Sequence, residues 1–354
     1  RDTIQFVVRP ALTVQAVPSG LHRGINYTSA SSITLVLHAP YKQYVYVLGD
    51  FNDWKVDNNY FMKRDPDFAT YWIEITGLTP KQQYAFQYFI DGAIKVADPH
   101  SELVLDPNND KWVPEVTFPN LHPYPTGKTS GIATLIEMDK EEYDWEIENF
   151  DAPDEDELVV YELLVRDFIE RHDYQTLSDT LDYLTNVGIN AIELMPVNEF
   201  EGNESWGYNT SFHMALDKYY GTPDDFKRFV DECHKRGIAV ILDVVYNHAF
   251  SQSPLCQMWW DATNFRPSGA NPYLNVTAKH DFNVGYDFNH ESSAFKEFMK
   301  QCIQYWLSEY KIDGYRFDLS KGFTQKNTLG DIGAWNSYDG ARVNNLKRIY
   351  SECK

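Results

Sequence analysis

Gly314-Tyr315-Arg316-Phe317-Asp318-Leu319-Ser320-Lys321 reads as a short strand that carries an arginine and an aspartate two residues apart. Strand alternation places Arg316 and Asp318 on one face. A carboxylate held beside a guanidinium stays ionised well below neutral pH, and an ionised, fixed carboxylate is a competent nucleophile. The same residues also fit a structural Arg–Asp pair at a strand end. Their surroundings decide between the two readings.

Immediately upstream, Phe295, Phe298, Met299, Cys302, Ile303, Trp306, Leu307 and Tyr310 recur at spacings of three and four, the mark of an amphipathic helix. Further back, residues 238–245 form a nearly unbroken apolar run, as a strand covered on both faces requires. It is preceded by a helix that opens with Thr222-Pro223-Asp224-Asp225 (a cap, a proline at the first turn and acid behind it) and ends at Gly237. Residues 158–165 and 189–197 read as two earlier strands, with a helix over 177–186 that Gly188 stops. Residues 341–353 read as a final helix. Strand and helix alternating in this way predict a parallel sheet with helices outside it. Polar residues gather at the C-terminal ends of the strands, where a (β/α)8 TIM barrel keeps its chemistry. A doubly wound sheet is the competing fold, but no glycine-rich phosphate loop follows the first strand.

The amino-terminal third is different. Residues 33–38, 44–48, 71–75 and 84–90 are short apolar or alternating runs, with Ala39-Pro40, Gly77 and Asp91-Gly92 as turns. This predicts an immunoglobulin-like β-sandwich over 1–125. Residues 126–157 are crowded with acid from Glu137 onward and read as a solvated linker. Residues 158–354 then form the α/β part of a multidomain chain.

The 354 residues carry a net charge of −21, which disfavours nucleic acid and anionic membranes as partners and leaves a neutral ligand open. No apolar run reaches the roughly 18 residues of a membrane span. Cys233, Cys256, Cys302 and Cys353 show no metal-ligand spacing, and Cys233 and Cys302 fall on apolar helix faces. The first residue is Arg1, not Met, which suggests a removed leader. Aromatic residues make up 15% of the chain, and exposed aromatic faces suit flat, neutral rings.

Asp243 interrupts the apolar strand 238–245, which is costly unless its carboxylate is paired. It opens Asp243-Val244-Val245-Tyr246-Asn247-His248. Together with Gly-x-Arg-x-Asp about 70 residues on, Trp206-Gly207-Tyr208 after the second strand, and Gly285-Tyr286-Asp287-Phe288-Asn289 before the long helix, this order of motifs resembles the α-amylase family of glycoside hydrolases. Tyr44-Val45-Tyr46-Val47-Leu48-Gly49-Asp50-Phe51-Asn52-Asp53-Trp54 resembles the signature of the glycogen-binding-like, carbohydrate-binding-module-like β-sandwich that precedes many members.

The resemblance implies an α-glucan polysaccharide or oligosaccharide as partner, with no organic cofactor. It implies Asp318 as nucleophile and Arg316 as the residue that orients it. Asp243 and His248 hold the reacting sugar or the residues around it, Tyr208 stacks on its ring, and Trp206 either widens that platform or packs in the core or the loop. Asn247 matches a position that binds structural calcium in many members, with Asp287 as a second ligand; a hydrogen-bonding role for Asn247 stands equally. In the amino-terminal region, Trp54 remains as a stacking face, while Gln87 and Ile94 stand where glucan-binding members carry lysine and tryptophan.

The sequence departs from the family in two places. Lys321-Gly322 stands where the family often has Lys-His, which puts one calcium contact in doubt. The general acid that retaining chemistry requires is not found; Asp331 and Asp339 have no motif around them. Only about four of eight barrel units are expected in residues 158–354, so the chain reads as the amino-terminal part of a longer protein, inactive by itself, with the other half of the barrel missing or supplied by an oligomer. The expected activity is hydrolysis of α-1,4-glucosidic bonds with retention, in a secreted, periplasmic or cell-surface protein. The alternatives are a branching or debranching enzyme of the same family, or a non-catalytic glucan-binding protein.

Overall fold

A computed structural model describes residues 7–354; the first six positions of the amino-terminal region lie outside the described residues. The chain divides into two compact units, one formed by Arg1–Asp110 with His122–Glu141, the other by Lys111–Leu121 with Glu142–Lys354.

The first unit contains β1 (Gly24–Ser29), β2 (Ser32–His38), β3 (Val45–Gly49), β4 (Lys63–Arg64), β5 (Thr70–Thr76), β6 (Gln83–Ile90), β7 (Ile94–Val96), β8 (Val104–Leu105) and β9 (Ala133–Glu137). They pair antiparallel in two sheets, β1-β2-β5-β4 and β3-β6-β9-β8, with β7 on β6. The Asp91-Gly92 turn joins β6 to β7 with both residues in the left-handed region, φ 53° and 71°.

Two expectations change here. β9 lies inside the stretch read as linker and pairs with β6 from Gln83↔Glu137 to Phe86↔Thr134. The acid-rich composition begins only at Glu137, so it masked the apolar Ile132, Ala133, Leu135 and Ile136 just before it, all buried. Trp54 is no exposed platform: it is 6% exposed, and its indole Nε1 donates to Asp50 Oδ1 at 2.9 Å.

The second unit runs β10 (Val160–Leu163), α1 (Val165–Phe168), α2 (Tyr174–Ser178), α3 (Leu181–Val187), β11 (Ala191–Leu194), β12 (Asn198–Phe200), β13 (Thr210–Leu216), α4 (Pro223–Lys235), β14 (Ala239–Val244), β15 (His248–Ala249), α5 (Pro254–Gln257), β16 (Trp260–Asp261), β17 (Arg266–Pro267), β18 (Tyr286–Asp287), α6 (Ser293–Glu309), β19 (Gly314–Phe317), α7 (Ile332–Asn336) and α8 (Gly340–Glu352). β10, β11, β14 and β19 form one parallel sheet in that order. The order is sequential, without the reversal that marks a doubly wound sheet, and it is that of part of a (β/α)8 barrel.

Local chemistry explains the helices. Thr222 and Asp225 form a reciprocal capping box at the start of α4, with Pro223 in the first turn. The buried faces of α4 and α6 meet through Phe226, whose ring lies 5.2 Å from that of Tyr310. Cys233 and Cys302 are fully buried in these faces, and all four cysteines are free. The helix expected over 177–186 is two pieces, α2 and α3, because the apolar spacing of Leu177, Leu181 and Leu184 continues across a break at Asp179-Thr180. Gly188 ends α3 at φ 91°. Asp331 and Asp339, which had no motif, are the N-caps of α7 and α8.

The acid-rich run after β9 is fixed rather than solvated at 146–150. Asp231 of α4 is 1% exposed and accepts the backbone N–H of Glu146 and of Ile147, both at 2.9 Å. Phe150 stacks on His234 with centroids 4.1 Å apart. Among the described residues no helix is long and apolar enough to cross a membrane.

Candidate active site

Register decides which side chains share a face. Glu162 is level with Glu193, and Asp243 is level with Arg316. By alternation these four project to one side of the parallel sheet, while Leu163, Leu194, Leu242 and Tyr315 project to the other. Asp318 follows β19 on the same side as Arg316. Its N–H donates to the Val244 carbonyl at 3.0 Å, so the sheet still fixes its position one residue past the assigned strand end.

Arg316 Nη1 lies 2.9 Å from Asp318 Oδ1 and 2.9 Å from each carboxylate oxygen of Asp243. Asp243 is wholly buried and also accepts the Tyr208 hydroxyl at 2.6 Å. Burial pushes Asp243 up to about 6, although Tyr208 and Arg316 both pull it down. For Arg316, burial opposes the charge, but the Asp243 and Asp318 carboxylates more than offset it and raise its pKa. The two partners thus move in senses that disagree about the strength of the pair. With three donor contacts converging on it and a value below 7, Asp243 is a carboxylate at neutral pH. Burial and the hydrogen bond to Asp243 raise the Tyr208 phenol, so it remains a donor.

Tyr208 is carried by the loop between β12 and β13. Gly207 turns there at φ +89°, and a Cβ at that position would sit 2.3 Å from the Pro196 carbonyl oxygen, so only glycine fits. Trp206 is 61% exposed, which excludes the core-packing alternative. With Tyr208, Met195, Glu162 and Asp167 it lines an open cleft of about 400 Å³. His248 is wholly buried; its Nε2 meets the Tyr208 carbonyl at 2.8 Å, which makes Nε2 the protonated nitrogen. Burial lowers its pKa. The structure therefore gathers Arg316, Asp318, Asp243, Tyr208 and His248 into one connected group, with Trp206 on its rim.

Asn247 and Asp287 also meet. β15 pairs with β18 so that His248 is level with Asp287, and the Phe288 N–H donates to the Asn247 carbonyl at 2.9 Å. Asn247 and Asp287 are 0% and 2% exposed. Between their side-chain oxygens stands His280, with Nε2 3.3 Å from Asn247 Oδ1 and 3.7 Å from Asp287 Oδ1. Burial pushes Asp287 up to about 7 and His280 down, so burial disfavours the charge on both partners. Calcium takes six to eight oxygen ligands. Two side-chain oxygens with an imidazole nitrogen between them do not fit that ion.

Three residues at these sites escaped the sequence reading. Glu162 and Glu193 have carboxylate oxygens that lie, with one of Asp243, within 4.8 Å of one another. Arg316 Nε approaches Glu193 at 3.9 Å. Burial, then repulsion from Glu162, raises the Glu193 pKa. The signal was the one used for Asp243, an acid interrupting an apolar strand. His280 carried no local signal.

A parallel β/α sheet with an arginine and carboxylates at the C-terminal ends of its strands places these groups where a (β/α)8 barrel keeps its chemistry. Residues 144–263 match the family model described as alpha amylase, catalytic domain, the family that the order of motifs resembles. It is 29% identical to the malto-oligosyltrehalose trehalohydrolase of Saccharolobus solfataricus over 85% of this chain and 46% of that protein. It is 30% identical to the 1,4-alpha-glucan branching enzyme GlgB of Nitrosomonas europaea over 91% of this chain and 42% of that protein. It is 29% identical to the chloroplastic isoamylase 1 of Arabidopsis thaliana over 70% and 36%. Among solved structures, a putative alpha amylase from Salmonella typhimurium superposes with a TM-score of 0.68 at 24% identity, covering 93% of this chain and 47% of that one. The chain thus spans less than half the length of these curated relatives.

Proposed function

We propose that the protein hydrolyses α-1,4-glucosidic bonds of an α-glucan with retention, through a glycosyl ester on Asp318. The observation that carries this reading is the Arg316–Asp318 contact at 2.9 Å, continued by Asp243 and Tyr208. A carboxylate oxygen of Asp318 bonds to the anomeric carbon as the bond to the leaving oxygen breaks. The leaving oxygen takes a proton from a second carboxyl, and water then displaces Asp318. Asp243 is too deeply buried to be that acid; the match spans only 46% and 42% of two relatives, and the rest of such a protein has room for it. Arg316 keeps Asp318 aimed, Tyr208 presents its ring to the sugar while its hydroxyl orients Asp243, and Trp206 extends the apolar rim. His248 acts by fixing the Tyr208 backbone.

The first unit is read as the glycogen-binding-like sandwich in a structural role. Gln87, where binding members carry lysine, is fully buried and donates to the Ser130 and Ile132 carbonyls at 3.0 and 2.7 Å.

The decisive experiment is Asp318→Asn in the full-length protein. Starch cleavage is expected to fall by three orders of magnitude or more, roughly what loss of a nucleophile costs; unchanged cleavage ends the assignment. A second reading, branching or debranching, is favoured by the similarity to GlgB and isoamylase. Product analysis on amylose and on pullulan separates the two.

A further inference from the structure

The Lys-Gly departure after β19 and the Asn247–Asp287 pair prove to be one feature. A Cβ built on Gly322 would lie 1.8 Å from Asn247 Oδ1 and 2.7 Å from His280 Nε2. Both atoms belong to side chains packed on every side, so neither can retreat. The position where the family often has histidine is therefore restricted to glycine, because Asn247 first and His280 second already occupy the space.

His280 is 2% exposed. Its ring lies 4.6 Å from the Trp335 indole, which covers it from the α7 side. Its Nε2 contacts Asn247 at 3.3 Å, on the segment between β14 and β15, and approaches Asp287 at 3.7 Å, on β18. The other Asp287 oxygen is already satisfied by Asn275 Nδ2 at 2.7 Å and by the Lys279 N–H at 3.3 Å. Asp287 Oδ1 has no closer hydrogen-bond partner than His280 among the described residues. His280 Nδ1 also has none, so the ring proton belongs on Nε2, where two oxygens face it.

We propose that His280 takes the place of a structural metal ion in this chain. Its Nε2–H donates to Asn247 Oδ1 and faces Asp287 Oδ1, sets the β14–β15 connection against β18 beside the turn at Gly322, and makes that junction independent of divalent cations. A calcium ion would have to displace the imidazole, and the site would still supply too few oxygens.

Thermal unfolding of the full-length protein in EDTA and in millimolar calcium tests this with two variants. Asp287→Asn keeps the shape and removes the carboxylate that His280 Nε2 faces. Its calcium response is expected to equal that of the unaltered protein, whatever sites exist elsewhere. A calcium-induced rise in melting temperature that is present in the unaltered protein and lost in Asp287→Asn overturns the proposal. His280→Ala is expected to melt at least roughly 2–4 °C lower in EDTA, the shift that about 1 kcal/mol produces in a unit of this size. His280→Gln, which can still present an N–H, should recover part of that loss. Equal melting of His280→Ala and the unaltered protein in EDTA overturns the proposal as well. Neither readout depends on catalysis, so failure here is separate from failure of the Asp318 assignment.

Discussion

One nitrogen of Arg316 contacts both Asp318 and Asp243: Nη1 is 2.9 Å from Asp318 Oδ1 and 2.9 Å from each Asp243 oxygen. The Asp318 side chain keeps 20% of its surface exposed and Asp243 is wholly buried, so the guanidinium ties a partly accessible carboxylate to a fixed one. A lysine carries the same charge but not the planar fork and its fixed geometry. Arg316→Lys in the full-length protein is expected to retain the fold and to lose about 10²-fold in kcat, the scale of a misplacement of about 1 Å. Steady-state kinetics with circular dichroism as the control would show it. Unaltered kcat would mean that Arg316 does not aim Asp318.

Tyr208→Phe removes one of the donors that hold Asp243 as a carboxylate. Asp243 stands at about 6 against an ordinary value near 3.9. Because the folded value is the higher one, this group's contribution to stability is full below about pH 4 and is lost as pH rises through about 6. Activity has the opposite sense, since orienting Arg316 requires the carboxylate, so kcat/KM should fall as pH drops below about 6. Without the Tyr208 hydroxyl the Asp243 value rises further. The acid limb of the pH profile is therefore expected to move to higher pH in Tyr208→Phe. A limb that stays in place would mean that the Tyr208 hydroxyl does not hold the Asp243 carboxylate in its charged form.

Glu193 has its pKa raised by burial and then by Glu162. A carboxyl with a raised folded value contributes stability below its unfolded pKa and loses it as pH rises through the folded one. Glu193→Gln should accordingly stabilise the protein at pH 8 relative to the unaltered chain, with the difference disappearing near pH 4. Denaturant titrations at the two pH values would show it. If Glu193→Gln is instead destabilising at pH 8, the 3.9 Å approach to Arg316 outweighs burial and repulsion.

How far the sequence was readable follows the range of the interactions involved. α4 was legible because Thr222, Pro223 and Asp225 act within one turn. Asp243 was legible because an acid in an apolar strand has to find a partner, and the same logic extends to Glu162 and Glu193. β9 was hidden because composition was averaged over 126–157, across the point at Glu137 where burial gives way to charge. His280 was beyond reach. Its position depends on β15 pairing with β18 and on the space left by the hydrogen of Gly322, neither of which leaves a mark near residue 280.

Segment 146–150 shows how charge alone misleads. Acid-rich runs are usually solvated, yet the Asp231 carboxylate accepts two backbone N–H groups from Glu146 and Ile147 at 2.9 Å, and Lys235 reaches Glu146 at 2.6 Å. The Lys235 pair is partly exposed and contributes little. Asp231 is buried at 1% exposure, and hydrogen bonds to a charged acceptor are the strong kind. Asp231→Ala leaves two N–H groups to find water and is expected to cost about 2–3 kcal/mol if the segment stays docked. The chain can avoid that cost by releasing the segment, so the expected outcome is a smaller loss of global stability together with faster amide exchange and proteolysis across 143–150. Lys235→Ala should leave both near the unaltered level. If Asp231→Ala changes neither exchange nor cleavage in 143–150, the Phe150–His234 stack at 4.1 Å holds the segment, and His234→Ala becomes the variant that frees it.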